Sequence, residues 1–118
     1  METLSVPKDG HVNYVELPGG DLAAVKGFYG QAFGWTFTDY GPSYAGFNEG
    51  LDGGFHTGDA DAISKPLVIL YATDLGAMEA KVKAAGGVIT RAIFEFPGGR
   101  RFHFTDPAGN ELAVWSEG

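Results

Sequence analysis

Cysteine is absent from the 118 residues, which rules out disulfides, thiolate nucleophiles and cysteine-ligated metals and leaves the redox compartment open. Positive charge is scarce: eight Lys and Arg face fifteen Asp and Glu, for a formal net charge of −7 and a pI near 4.7. Nucleic acid is therefore not an expected partner, because phosphate contacts need clustered Lys and Arg. The basic cluster that does occur is Arg100-Arg101, preceded by Arg91. The acidic surplus reads first as a solubility feature, with attraction of cationic ligands as its functional alternative. Long apolar runs are missing too, and no stretch approaches the length of a membrane span. The opening Met1–Gly10 has no basic segment followed by an apolar run, so no signal peptide is expected and a cytoplasmic location is the default. A phosphate-binding loop is also lacking, since Gly19-Gly20, Gly53-Gly54, Gly86-Gly87 and Gly98-Gly99 read as turns or helix ends.

What the chain does have is a weak internal repeat. A shift of 53 positions aligns Val15 with Val68, Leu17 with Leu70, Asp21 with Asp74, Leu22 with Leu75 and Gly34 with Gly87. Each copy reads as an apolar strand, an Asp N-cap, a helix and a glycine stop. The first strand is expected over residues 11–17, with Val12, Tyr14 and Glu16 on one face and Asn13, Val15 and Leu17 on the other. Three strands follow the first helix, at Trp35–Tyr40, Tyr44–Asn48 and about Gly53–His56; three more follow the second, at Val88–Phe96, Arg100–Thr105 and Glu111–Trp115. The pattern is βαβββ twice and predicts an α+β fold with helices on one sheet face. Residues 1–118 are expected to form a single domain, because neither half is large enough to bury a good core alone. Its units span about 11–57 and 66–116, and the polar segment over 57–65 links them.

These elements resemble the vicinal oxygen chelate superfamily, which includes glyoxalase I, extradiol dioxygenases and bleomycin- and fosfomycin-resistance proteins. The resemblance covers about the whole chain. It rests on Tyr14–Leu17 leading to Asp21-Leu22, on Phe28-Tyr29 followed by Phe33-Gly34-Trp35, on the Asp74-Leu75 helix ending in Ala84–Gly87, and on Thr105–Asn110. It implies two βαβββ units forming a half-open barrel around a pocket, and homodimers are common among its members. Many members bind a divalent metal through His, Gln or Glu on the leading and closing strands. The matching positions here are Tyr14, Leu67 and Ala113, and none is a normal ligand for such an ion.

Two sets of residues are candidates for a site. By alternation, Tyr14, Ile69, Tyr71 and Trp115 are expected on the concave side, joined by Glu16 and Glu111, and the resemblance implies that His56, ending the fourth strand, lies close to a position where members often carry a ligand. Aromatics with a few polar groups suit a small, partly planar organic ligand. Glu16, His56 and Glu111 would also make a displaced divalent-metal set, but they read first as hydrogen-bonded or solvated rim groups. Arg101 and His103 share one strand face and could act as oxyanion stabiliser and general base, yet a solvated sheet face is the simpler expectation. Phe28, Phe33 and Phe47 are expected in the core, and His11 at the surface. Asp59 and Asp61 lack the glycine and distal Glu of a calcium loop and read as linker charge.

The resulting expectation is a glyoxalase-like small-molecule binding protein, homodimeric, with no cofactor and no membrane or nucleic-acid partner. One alternative is a divalent-metal lyase, isomerase or dioxygenase using the displaced set. Others are an antibiotic-sequestering protein of the bleomycin-resistance kind and an accessory module with a vestigial pocket.

Overall fold

The computed structural model describes residues 7–58 and 63–117. Its elements follow the order β1 (Val12–Pro18), α1 (Leu22–Phe33), β2 (Thr38–Asp39), β3 (Tyr44–Asn48), β4 (Asp52–His56), β5 (Leu67–Tyr71), α2 (Leu75–Ala84), β6 (Val88–Phe96), β7 (Gly99–Thr105) and β8 (Glu111–Ser116). The fold is α+β, and the βαβββ pattern occurs twice. The chain divides into two compact units, one of residues 14–67 and one in which residues 7–13 join residues 68–117. Of the expected linker, residues 59–62, including Asp59 and Asp61, lie outside the described residues. Among the described residues no helix is long and apolar enough to cross a membrane.

Both helices start as the repeat predicts. Asp21 accepts from the Ala24 amide at 3.2 Å and Asp74 from the Ala77 amide at 3.0 Å, each satisfying an amide that the first helical turn leaves without a partner. Gly34 ends α1 in the left-handed conformation, at φ 75°, which a glycine adopts without steric cost.

In the N-terminal unit the strand order is β2-β3-β4-β1. β1 and β4 run parallel, with Glu16 opposite Gly54 and Pro18 opposite His56; β3 and β4 run antiparallel, with Tyr44 opposite His56 and Gly46 opposite Gly54. The face towards α1 carries an aromatic cluster. Tyr29 stacks on Trp35 with ring centroids 4.7 Å apart and lies 5.3 Å from Phe55, while Trp35 lies 4.8 Å from Phe47. Two expectations change here. The strand foreseen over Trp35–Tyr40 shrinks to Thr38–Asp39, while Trp35 and Phe37, two residues apart, both join the cluster through Phe47. Phe28 and Phe33, expected in the core, are 57% and 63% exposed: α1 buries none of its residues fully and packs chiefly through Tyr29.

The C-terminal unit repeats the arrangement as β5-β8-β7-β6, with β5 parallel to β8 and β7 antiparallel to both β8 and β6. Its helix is better anchored. Ala72, Leu75, Phe102 and Val114 form a buried cluster, with Leu70, Met78, Val82 and Phe104 packed around it. The helix-facing side of β8 is therefore the Val114 side, as alternation implies, and Ala113 and Trp115 take the opposite face. The Asp-Pro-x-Gly-Asn turn forms as expected: Asp106 Oδ1 accepts from the Ala108 and Asn110 amides, each at 2.9 Å, and Gly109 takes φ 88°. Residues 7–13 are held in this unit by paired backbone bonds, Gly10 N to Tyr71 O at 2.8 Å and Tyr71 N to His11 O at 3.2 Å.

The cap is the local feature on which α2 depends for its start. Asp74→Ala is expected to destabilise the protein by about 1 kcal/mol, and Asp74→Asn by much less, as read from urea unfolding midpoints at neutral pH.

Candidate functional site

The helix-free sheet face of the N-terminal unit is built around two glycines. Glu16 on β1, Gly54 on β4 and Gly46 on β3 form one row across the strands. A Cβ on Gly46 would come within 2.7 Å of the Tyr40 ring, and a Cβ on Gly54 would overlap the ring and hydroxyl of Tyr44. The missing side chains are what let the two tyrosines lie down over the sheet. Lying flat, Tyr44 brings its hydroxyl to 3.4 Å from Glu16 Oε2 and into a hydrogen bond with the Tyr14 hydroxyl. With Tyr44 donating to the carboxylate, Tyr14 donates to Tyr44. Glu16 is only 4% exposed. Burial pushes the Tyr14 phenol up to about 12, against the pull of its bond to Tyr44, and the nearby Glu16 charge adds to the rise. Tyr14 is thus a neutral donor across the physiological range. His56 closes β4 with its ring 5.4 Å from that of Tyr44. Gly53-Gly54, grouped with the turn glycines but also opening the strand expected at about Gly53–His56, lie inside β4.

The helix-free face of the C-terminal unit carries a different group. Cross-strand register places Arg101 opposite Trp115, His103 opposite Ala113 and Thr105 opposite Glu111, and places Ile69 opposite Ala113 and Tyr71 opposite Trp115. Arg101 and His103 are each 6% exposed, so the solvated sheet face expected for this pair is not what forms. They sit on β7, which has a neighbour on either side, and lie between the aromatic residues of β6 and β8. His103 Nδ1 lies 3.3 Å from Glu111 Oε2, and Thr90 Oγ1 donates to the same oxygen at 3.2 Å. Burial, with Arg101 and Arg91 nearby, pushes the His103 imidazole below its ordinary value, and the bond to Glu111 opposes the shift. The neutral ring with its proton on Nδ1 satisfies Glu111 and leaves a lone pair on Nε2. Nε2 is itself buried, and no described residue bonds to it.

Aromatic rings surround this pair. Phe94 lies 5.7 Å from His103, and the Arg91 guanidinium sits over the Phe94 ring, 3.5 Å from its centroid. The Arg101 guanidinium is 5.4 Å from Phe94 and 5.6 Å from Phe96. Trp115 donates its indole N–H to Asn13 Oδ1 at 2.8 Å and meets Tyr71 edge-on at 5.4 Å. The Tyr71 hydroxyl donates to Glu117, which raises its pKa. Ile69 and Ala113 on the same face are 3% and 0% exposed.

A family model described as the Glyoxalase/Bleomycin resistance protein/Dioxygenase superfamily matches residues 11–114. The chain belongs to that superfamily. No curated protein matches it. Solved structures similar to it include an NAD-dependent benzaldehyde dehydrogenase from Legionella pneumophila, at 14% identity and TM-score 0.73 over 88% of this chain and 97% of that one. The methylmalonyl-CoA epimerase of Mycobacterium tuberculosis aligns at 11% identity and TM-score 0.70 over 98% and 93%. The Mn(II)-bound glyoxalase of Novosphingobium aromaticivorans aligns at 24% identity and TM-score 0.58, over 88% of this chain and 37% of that longer one. At such identities the likeness establishes the glyoxalase-like fold alone.

The superfamily's metal does not fit the residues present. Tyr14 is a neutral phenol bonded to Tyr44, while Leu67 and Ala113 are buried and apolar. Glu111, the third member of the displaced set Glu16, His56 and Glu111, is engaged by His103 and Thr90. Among the described residues no three His, Asp or Glu gather in a way that could hold an ion.

Of the sequence candidates, Tyr14 and Glu16 meet in one cluster beside His56, and Ile69, Tyr71, Glu111 and Trp115 lie on the helix-free face of the other unit. Sequence reasoning passed over Tyr44 and Tyr40. The usable signal was Gly46 and Gly53-Gly54 inside strand patterns, where glycine marks the close approach of another group.

Raising the pH from about 10 to about 12 is expected to lower the protein's stability, because the unfolded chain ionises Tyr14 near 10 while the folded one holds it neutral to about 12. Ultraviolet titration should show this late phenol, and Tyr14→Phe should remove it. Gly54→Ala should displace Tyr44 at a cost of about 1–3 kcal/mol, read from urea unfolding midpoints.

Proposed function

We propose that this superfamily member is a small-molecule binding protein, each helix-free sheet face offering residues that suit a ligand, without the metal that many glyoxalase-like enzymes use. The observation that carries the reading is the burial of Glu16, Arg101 and His103 on those faces, among aromatic rings. Taking charged and titratable groups out of water carries a desolvation penalty even where they are partnered, so a fold shaped only by packing would place apolar side chains there. Tyr14, Glu16, His56, Ile69, Tyr71, Glu111 and Trp115 are the residues assigned to binding. The protein acts as a soluble cytoplasmic homodimer in this reading, with the exposed Phe28 and Phe33 of α1 as apolar surface for the second copy.

The alternative of a divalent-metal lyase, isomerase or dioxygenase is separated by elemental analysis of untagged protein purified without chelators. Substoichiometric transition metal is expected. A stoichiometric ion lost on Glu111→Ala would overturn the metal-free reading. A thermal-shift screen over planar aromatic compounds and bleomycin is expected to give stabilisation by some aromatic ligand, and the antibiotic-sequestering version holds if bleomycin raises the midpoint as well. Absence of any shift would instead point to an accessory module. Sedimentation equilibrium at micromolar protein should return twice the 12.5 kDa chain mass; a monomer would end the dimer reading.

A further inference from the structure

The two units allow an internal comparison of one position. Glu16 pairs with Gly54 and Gly54 with Gly46 in one unit; Ile69 pairs with Ala113 and Ala113 with His103 in the other. His103 therefore occupies the strand position that Gly46 occupies in the repeat. Sheet geometry does not require a side chain there, still less a buried imidazole. The one present is oriented through Nδ1 by Glu111, whose carboxylate Thr90 also holds. Its Nε2 is buried with no described partner, and a buried acceptor normally has one. Phe94 borders the ring, and Arg101 and Arg91 are the charged groups acting on it besides Glu111.

We propose that His103 Nε2 receives the proton of an acidic hydroxyl carried by a planar aromatic or enolic ligand, with Arg101 stabilising the oxyanion that results. The ligand's O–H bond breaks and an N–H bond forms at Nε2. The imidazolium is then paired with Glu111 through Nδ1, the ligand oxygen keeps the electron pair, and no other reactant is needed. Phe94 and Phe96 supply rings for stacking. The neutral imidazole that burial and the arginines favour is the form able to take a proton. This assignment rests on the proposal that the helix-free faces bind a small organic molecule, and it names the chemistry of that molecule.

The test uses the full-length protein with 4-nitrophenol, whose anion is yellow, and 4-nitroanisole, which has the same ring without the acidic proton. The expected result is that nitrophenol, added at a pH where it is protonated in water, binds with the anion's absorption and at least tenfold more tightly than nitroanisole. His103→Gln should abolish the anion band and weaken nitrophenol binding about tenfold, with a clearly smaller effect on nitroanisole. Glu111→Gln should reduce the band. Should the histidine variant misfold by circular dichroism, nitrogen-15 NMR of the wild-type histidines replaces it, with one imidazole expected to become doubly protonated on adding nitrophenol. Equal affinity for the two probes, or an anion band retained in folded His103→Gln, would overturn the proposal while leaving the binding reading standing. In the NMR arm, histidines unchanged by bound nitrophenol would overturn it too. If neither probe binds, nor any other planar aromatic in the screen, the binding reading fails and this assignment fails with it.

Discussion

The parallel pairing of each unit's leading strand with its closing strand is the constraint from which the rest follows. A parallel pair needs a crossover, and in a βαβββ unit the helix supplies it on one face of the sheet. Once β1 lies against β4 and β5 against β8, each sheet has a helix-covered face and a face without a helix. Register then decides which side chains share the uncovered face. It sets Glu16 beside Gly54 and Ile69 beside Ala113, and everything chemically distinctive about the two units lies in how those rows are extended onto the next strand.

The extensions differ in kind. In the N-terminal unit the row continues into Gly46, and the space is taken by tyrosine rings and a phenol-to-phenol-to-carboxylate chain. In the C-terminal unit it continues into His103, held by a carboxylate and set among guanidiniums and phenyl rings. Doubling a unit frees one copy to depart from the other without loss of the shared scaffold. Here the same backbone carries a donor set on one copy and an acceptor on the other.

Much of this was legible in the sequence. The caps at Asp21 and Asp74, the strand alternation and the turn over Thr105–Asn110 are local matters, fixed by residues near one another along the chain, and they fall where the pattern puts them. Alternation also sorted Tyr14 with Glu16 and Glu111 with Trp115. Burial was harder to read, because it depends on what lies across the sheet. Arg101 and His103 look like surface residues in a list of types, yet they occupy an inner strand flanked by aromatic neighbours. Phe28 and Phe33 look like core, yet α1 rests on Tyr29 and turns those two rings outward. Tyr44 reaches Glu16 only through a gap left by a glycine on the neighbouring strand, a relation that no spacing within one strand reveals.

The uneven seating of the two helices has a consequence for how the molecule moves. α2 anchors Leu75 in a buried cluster with Phe102 and Val114, whereas α1 has no fully buried residue. Backbone amides are protected from exchange with solvent in proportion to the packing that must open to expose them. The amides of α1 should therefore exchange early, through fluctuations that leave the β7–β8 sheet closed. The amides of α2, whose Leu75 is anchored in the buried cluster, should exchange later.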